Sequence, residues 1–300
     1  AGRPGNPVDK IWLKSYPPGV PAEIHPAEYR SLLDIMERSL AKYRDLPAYT
    51  SMDRTLTFGD LDVLSRRFAA YLQKVAGLRR GDRLAVMLPN VLQYPVAILA
   101  AFRAGLTVVN VNPMYTTREL EHQLNDSGAR AILILENFAH TLAEVQHEVD
   151  VGTVIVTGVG DLLGFPKSLL VNFVLRHVRK QIPEWSLPGA IGFTQALNQG
   201  RYENLEVAEL THDDVAFLQY TGGTTGVSKG AVLTHHNLVA NVLQAEAWML
   251  PTLGAIEGEV VVTALPLYHI FSLTANCLTM MKLGGHNLLI ANARDFAGFV

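Results

Sequence analysis

The sequence predicts an α/β fold of mostly parallel sheets flanked by helices, and three observations carry that expectation. Short all-apolar runs, LAVML (84–88), TVVNV (107–111), AILIL (131–135) and TVIVT (153–157), read as strands buried on both faces. Segments of helical period separate the first three, around Tyr94 to Ala104 and Glu119 to Asn125. These connections are long enough for crossovers between parallel strands, which a tight hairpin turn is not.

Taken in order, Glu28 to Tyr43 places Tyr29, Leu32, Leu33, Met36 and Leu40 at helical spacing. Leu61, Leu64, Phe68, Tyr71, Leu72 and Val75 repeat that pattern, with Thr57 and Asp60 as a capping pair before them and Gly77 as the stop. After the four apolar runs, Gly158 to Gly200 is less regular, because Pro166, Pro183 and Pro188 interrupt the periodicity. Strand VAFLQY (215–220) leads through a loop to a second short strand, AVLT (231–234), and then to a helix from about Asn237 to Trp248 capped by Thr234. Strand VVVTAL (260–265) runs into PLYHIF and a helix, followed by the turn Gly284-Gly285 and strand NLLI (287–290). The first ten residues read as an irregular tail. The pattern at Val300 has no closing signal, and a longer parent chain is the expectation.

Composition limits the function. Hydrophobic residues make up 49% of the 300, ample for buried cores. Twenty-five Lys plus Arg against 28 Asp plus Glu give a formal charge of −3, without the basic excess of a nucleic-acid binder. A lone cysteine, Cys277, and no signal-peptide pattern suit a reducing, cytoplasmic compartment, with Cys277 as a small core residue. Leu84 to Phe102 and Val260 to Met281 are poor in charge, but Pro89, Asn90, Gln93 and Pro95 in one and Pro266, Tyr268, His269 and Asn276 in the other break them into strand, turn and helix. No transmembrane segment is expected.

The densest chemical signal is Tyr220-Thr221-Gly222-Gly223-Thr224-Thr225-Gly226-Val227-Ser228-Lys229-Gly230, with four glycines, three threonines, a serine and a lysine in eleven residues. Backbone N–H groups unscreened by side chains, several hydroxyls and one mobile cation are the parts of a phosphate cradle. A Walker loop is excluded: Ser228 precedes Lys229 where glycine would stand, Gly230 follows it, and the segment lies between two strands instead of leading into a helix.

A second constellation, Pro266-Leu267-Tyr268-His269-Ile270-Phe271, follows an apolar strand, and ligands of open α/β sheets collect at carboxyl ends of strands. Alone, a histidine among apolar residues such as His269 reads more often as a satisfied structural residue. The loop about forty residues upstream shifts the reading towards a site, where His269 donates a hydrogen bond to a carboxylate or phosphate oxygen. Adjacent His235 and His236 diverge in direction with no third ligand, so they read as helix-entry residues. Leu169 to Lys180 sets Leu169, Leu170, Phe173 and Val174 beside Lys167, Arg176, Arg179 and Lys180. It reads either as a helix lying on anionic lipid or as a surface helix packed on its own sheet, and the second is the expectation.

These residues resemble the adenylate-forming acyl-CoA synthetases, which share a fold with firefly luciferases and peptide-synthetase adenylation domains. YTGGTTGVSKG resembles their phosphate-binding signature and LPLYHIF the motif that follows it, while LTFGDL (56–61) and FRAGLTVVNVNP (102–113) resemble earlier blocks. Within the family, ELEHQLNDSGA, NFAHTL and VVTALPLYHIF look most like bacterial long-chain fatty acid-CoA ligases.

The resemblance implies a layered α-β-α-β-α arrangement with interleaved subdomains, about 84–248 in one and about 22–82 with 258–300 in the other. It implies ATP, Mg²⁺ and CoA, a long-chain fatty acid as substrate, and attack of its carboxylate on the α-phosphorus before the CoA thiol displaces AMP. Thr224, Thr225 and Lys229 would meet the β- and γ-phosphates, Thr221 would stand near Mg²⁺, His269 would lie beside the reacting groups, and Phe271 and Leu273 would begin an acyl tunnel. Transfer to a carrier-protein thiol, or a non-catalytic binding module, are the alternatives. No Tyr-Gly-x-Thr-Glu, Thr-Gly-Asp or late Gly-Lys motif occurs in the 300 residues, so this stretch alone is expected to form no acyl-adenylate. Self-association into a homo-oligomer and peripheral contact with the inner face of a membrane complete the expectations.

Overall fold

A computed structural model describes residues 10–221 and 228–291. Helix α1 (Leu32–Lys42) begins at Ser31, whose hydroxyl accepts from the Asp34 amide, and buries Leu32, Leu33, Ile35, Met36 and Leu40. Strands β1 (Pro47–Ser51) and β2 (Arg54–Thr57) then form an antiparallel hairpin turned by Met52 and Asp53, both left-handed at φ 47° and 58°. Helix α2 (Phe58–Ala70) starts in a full capping box between Thr57 and Asp60, as its sequence predicts, and continues through a π-helical turn, Tyr71–Val75.

From β3 (Arg83–Met87) the chain builds the larger sheet. Helix α3 (Gln93–Arg103), β4 (Thr107–Asn110), α4 (Thr117–Ser127), β5 (Ala131–Leu135), α5 (Ala139–Val145) and β6 (Thr153–Thr157) follow in turn. Next come α6 (Lys167–Phe173), a π-helical turn (Val174–Val178), β7 (Ile191–Gly192), α7 (Phe193–Gly200), β8 (Val215–Thr221) and β9 (Lys229–Thr234). The order is β7-β6-β5-β3-β4-β8-β9, parallel throughout except for β9, which runs antiparallel to β8.

Both faces of this sheet are buried, which is why its strands read as unbroken apolar runs. Leu84, Val86 and Leu133 point into the main core, whereas Ala85, Met87, Ile132 and Ile134 join a second core with Leu120 and Leu124 of α4 and Leu142 of α5. Helix α3 is buried at every residue against α1, α2, β3 and β4. It carries one charge inward, Arg103, whose guanidinium is held by Glu37 at 2.8 Å and Asp62 at 2.7 Å.

Helix α8 (His235–Leu253) leads to β10 (Val260–Thr263). A helical run follows, made of α9 (Ile270–Ser272), a π-helical stretch Leu273–Thr279 and α10 (Met280–Leu283), and it ends at Gly284 in the left-handed conformation before β11 (His286–Leu289). The second sheet has the order β10-β11-β1-β2, so the amino-terminal hairpin is completed by strands from the far end of the chain, with β1 parallel to β11.

Two expectations change in detail. The strand expected over 260–265 ends at Thr263, whose carbonyl accepts from both the Ile290 amide and the Asn90 side-chain amide; beyond it Asn90 takes the Leu265 carbonyl. The helix expected from Asn237 begins at His235, since Thr234 caps it through Asn237. His235 is a helix-entry residue as expected and is fully buried: Nδ1 accepts from the Leu32 amide, and burial lowers its pKa to about 4. Cys277 is a core residue, 1% exposed beneath the Tyr49 hydroxyl. Burial pushes its thiol up to about 11. No helix among the described residues is long and apolar enough to cross a membrane.

Candidate phosphate-binding and carboxylate-activating site

The glycine-threonine segment is the connection of an antiparallel hairpin. Its last paired residues are Thr221 and Lys229, the end of β8 facing the start of β9. Gly222, Gly223, Thr224, Thr225, Gly226 and Val227 lie outside the described residues. What can be followed is how the two arms are held.

Tyr220 is nearly buried and donates its hydroxyl to Asp126 of α4 at 2.5 Å. Burial, and after it the neighbouring carboxylate, raise its pKa, so the ring is a fixed neutral anchor. Gly230 lies across from it, where an added Cβ would stand 2.9 Å from the Tyr220 ring. The glycine that follows Lys229 therefore has a packing reason. Ser228 donates to the Thr221 carbonyl at 2.9 Å, and its own carbonyl lies 3.0 Å from Nε2 of His122, again on α4. Helix α4 thus braces both arms. Thr221 and Lys229 are exposed at the open end, and Lys229 takes part in none of the ion pairs among the described residues.

His269 caps the short helix after β10. Its amide donates to the Pro266 carbonyl at 3.0 Å, and Nδ1 accepts a long 3.4 Å bond from the Phe271 amide. An accepting Nδ1 leaves the proton on Nε2, at an exposed ring edge. Phe271 is 59% exposed beside it, whereas Leu273 is buried in the main core.

The two constellations are tied together by polar residues that the sequence reading passed over. Gln219, one residue before the loop's Tyr220, donates to the Tyr268 carbonyl at 3.0 Å and accepts from Asn110 at the end of β4, also at 3.0 Å. The Tyr94 hydroxyl lies 2.9 Å from both the Asn110 side-chain oxygen and the Leu267 carbonyl. Asn90, just past β3, accepts from the Leu267 amide at 2.8 Å. Asn90, Tyr94, Asn110 and Gln219 are all buried. The signal was present: TVVN and VAFLQY place an amide at the carboxyl end of an otherwise apolar strand, where an unpaired polar group would be costly. The carboxyl ends of β3, β4 and β8 thus meet the turn after β10, the position at which α/β sheets gather ligands.

The exposed ammonium of Lys229 and the hydroxyl of Thr221 suit anionic phosphate oxygens. They do not by themselves make a magnesium site. Such an ion takes about six oxygens, commonly with one or two carboxylates among them, and no cluster of three metal-ligating side chains occurs among the described residues. Three cavities of about 420, 460 and 410 Å³ open elsewhere, and none is lined by Thr221, Lys229 or His269.

A family model described as AMP-binding enzyme matches residues 36–299. The chain is 55% identical over 293 residues to a long-chain-fatty-acid–CoA ligase of Escherichia coli O157:H7, covering 98% of this chain and 52% of that protein. It is 36% identical over 284 residues to a protein of the same name from Bacillus subtilis (strain 168), covering 94% and 50%. The chain therefore spans about half the length of these relatives. Among solved structures, a long-chain-fatty-acid-CoA ligase from Archaeoglobus fulgidus superposes with a TM-score of 0.72 at 25% identity, over 92% of this chain and 50% of that one. An anthranilate CoA ligase in complex with anthranoyl-AMP gives 0.75 at 20% identity, over 92% and 48%, a likeness of fold. With a family match over most of its length and a fold shared with these structures, the chain belongs to the AMP-binding enzyme family.

Proposed function

We propose that the protein containing this chain is an AMP-forming ligase that joins long-chain fatty acids to CoA in the cytoplasm, using ATP and Mg²⁺. The observation that carries the reading is the bond from Gln219 to the Tyr268 carbonyl, which brings the glycine-threonine hairpin and the Tyr268–His269 turn to one place. A phosphate-binding element beside a histidine hydrogen-bond donor is what activation of a carboxylate by a nucleotide calls for. The choice of a long-chain fatty acid rests on the named relatives.

In this reading a carboxylate oxygen attacks the α-phosphorus, the bond to the bridging oxygen breaks, and pyrophosphate leaves. The CoA thiolate then adds to the acyl carbon and AMP departs. Such chemistry is governed by positioning and charge stabilisation. Lys229 places its ammonium against the phosphate oxygens, the Thr221 hydroxyl donates to the same group while Ser228 ties the two arms, and Nε2–H of His269 donates to the carboxylate or α-phosphate. Tyr220 and Gly230 fix the spacing of the hairpin arms. Thr224 and Thr225 would complete the phosphate contacts, and Thr221 would help hold Mg²⁺, whose charge would offset that of the pyrophosphate.

The test is acyl-CoA formation by the full-length protein with ATP, Mg²⁺ and fatty acids of medium and long chain. Turnover that favours the long chains is expected. Failure with all of them overturns the reading, and turnover only when an acyl carrier protein replaces CoA reassigns the acceptor.

A further inference from the structure

The adjacent histidines that open α8 diverge, and the outward one meets a histidine from another part of the chain. His235 turns inward to accept the Leu32 amide and is fully buried. His236 is exposed, and its Nδ1 lies 3.2 Å from Nδ1 of His212, a partly buried residue just before β8. The two rings are tilted 59° to one another with centroids 4.8 Å apart.

The backbone fixes this pair. The His236 amide donates to the His212 carbonyl at 3.1 Å and the His235 amide to that of Asp214 at 2.9 Å, which ties the segment before β8 to the start of α8. Nε2 of His212 lies 2.7 Å from the Tyr29 carbonyl, a group that can only accept. The neutral ring therefore carries its proton on Nε2, and Nδ1 presents a lone pair towards His236. Metal-ligating histidines take the same arrangement, with one ring N–H bonded to a backbone carbonyl and the other nitrogen bare.

We propose that His212 and His236 form a binding site for a divalent transition-metal ion of the zinc, nickel or copper kind, chelated by both Nδ1 atoms. Two bonds of about 2.0–2.1 Å at a tetrahedral angle set the ligand nitrogens about 3.3 Å apart, close to the 3.2 Å observed. Without the ion, His236 donates its Nδ1 proton to His212. When the ion binds, that proton moves to Nε2 of the same ring and both Nδ1 lone pairs go to the metal, with no net proton released. No cluster of three metal-ligating side chains occurs among the described residues, so water fills the remaining positions. Imidazole selects such ions over magnesium, which prefers oxygen.

The pair lies where Val215 meets Thr234, at the opposite end of the β8–β9 ladder from Thr221 and Lys229. It is separate from the candidate phosphate site, and the inference is independent of the ligase reading. Through the bond from His212 to Tyr29, a bound ion would fasten the stretch before α1, the segment before β8 and the start of α8 to one another.

The test is calorimetric titration of the chelator-treated full-length protein with zinc chloride in a buffer containing magnesium, together with thermal melting. Zinc binding that weakens at least about tenfold in both His212→Gln and His236→Gln is expected, since losing a ligand costs no less than losing its supporting partner. The wild type is expected to melt at a higher temperature with zinc than without it, and the variants are not. Because His236 is exposed, His236→Gln is expected to melt like the wild type in the absence of zinc, which separates loss of the site from loss of the fold. Absence of zinc binding by the wild type overturns the proposal. So does binding that both variants retain, which is an adventitious ion only, and so does binding that His212→Gln loses and His236→Gln keeps.

Discussion

Two residues show how a buried polar group is made tolerable here, and each yields a test. Arg103 is wholly buried and fully bonded, to Glu37, Asp62 and Ser65. Burial acts to raise the Asp62 carboxyl, but Arg103 and then Arg66 outweigh it, and the net pKa is lowered. Replacing Arg103 with Met leaves Asp62 without its buried partner, with only the exposed Arg66 and Arg44 beside it, and a loss of about 3 kcal/mol is expected in urea unfolding. His235 titrates with the opposite chemistry. Its folded pKa, near 4, lies below the ordinary histidine value of 6.5, so the neutral ring is the one the fold accepts. Its contribution is complete above 6.5 and declines as pH falls towards 4, by up to roughly 3 kcal/mol. A urea midpoint that stays level across this window, or falls equally in His235→Gln, contradicts that assignment. At the site itself, Gly230→Ala forces a methyl group against the Tyr220 ring and is expected to cost about 1–3 kcal/mol. A stability equal to wild type would show that the hairpin arms are not held by that contact.

At the scale of elements, what could be read from the sequence was what repeats with a period. The four all-apolar strands and helices α2, α3 and α4 stand close to where the pattern puts them, because both faces of the large sheet are covered and little else fits such runs. The caps were legible for the same local reason. Thr234 bonds the Asn237 amide and Asn237 bonds back, so Thr234→Ala is expected to lower stability by about 1 kcal/mol, measured by thermal or urea melting.

The β1–β2 hairpin was missed. Its turn uses Met52 and Asp53 in the left-handed region without the Asn-Gly or Asp-Gly pair that marks such turns, and β1 opens with a proline. Helix α7 was also missed. Phe193, Ala196, Leu197 and Gly200 do have helical spacing, but the prolines just before them hid it. Of the site, the hairpin and the His269 turn were legible from residue chemistry. Their junction was not, since Asn90, Asn110 and Gln219 come from separate strands and meet only once the sheet is assembled.

For the whole molecule, the smaller sheet joins the amino-terminal hairpin to strands near residue 290, and much of the main core depends on that closure. Its edge strand β10 exposes Val260 and Val262, with Leu265 just beyond, at 59%, 52% and 54%. An apolar strand edge invites pairing with another chain. The 300-residue chain is accordingly expected to associate as its concentration rises, observed by sedimentation velocity, and Val262→Lys to reduce that association. Monomeric behaviour of the unaltered chain would argue against it.

The central claim is that the hairpin ending in Thr221 and Lys229 holds the phosphates while a fatty acid is activated beside His269. The most direct measurement is fatty-acid-dependent exchange of labelled pyrophosphate into ATP by the full-length protein, compared with Lys229→Met. Exchange that requires a long-chain acid and falls about a hundredfold in the variant, with melting unchanged, is the predicted result. Exchange at the wild-type rate in Lys229→Met, or exchange that proceeds without any acid, would contradict it.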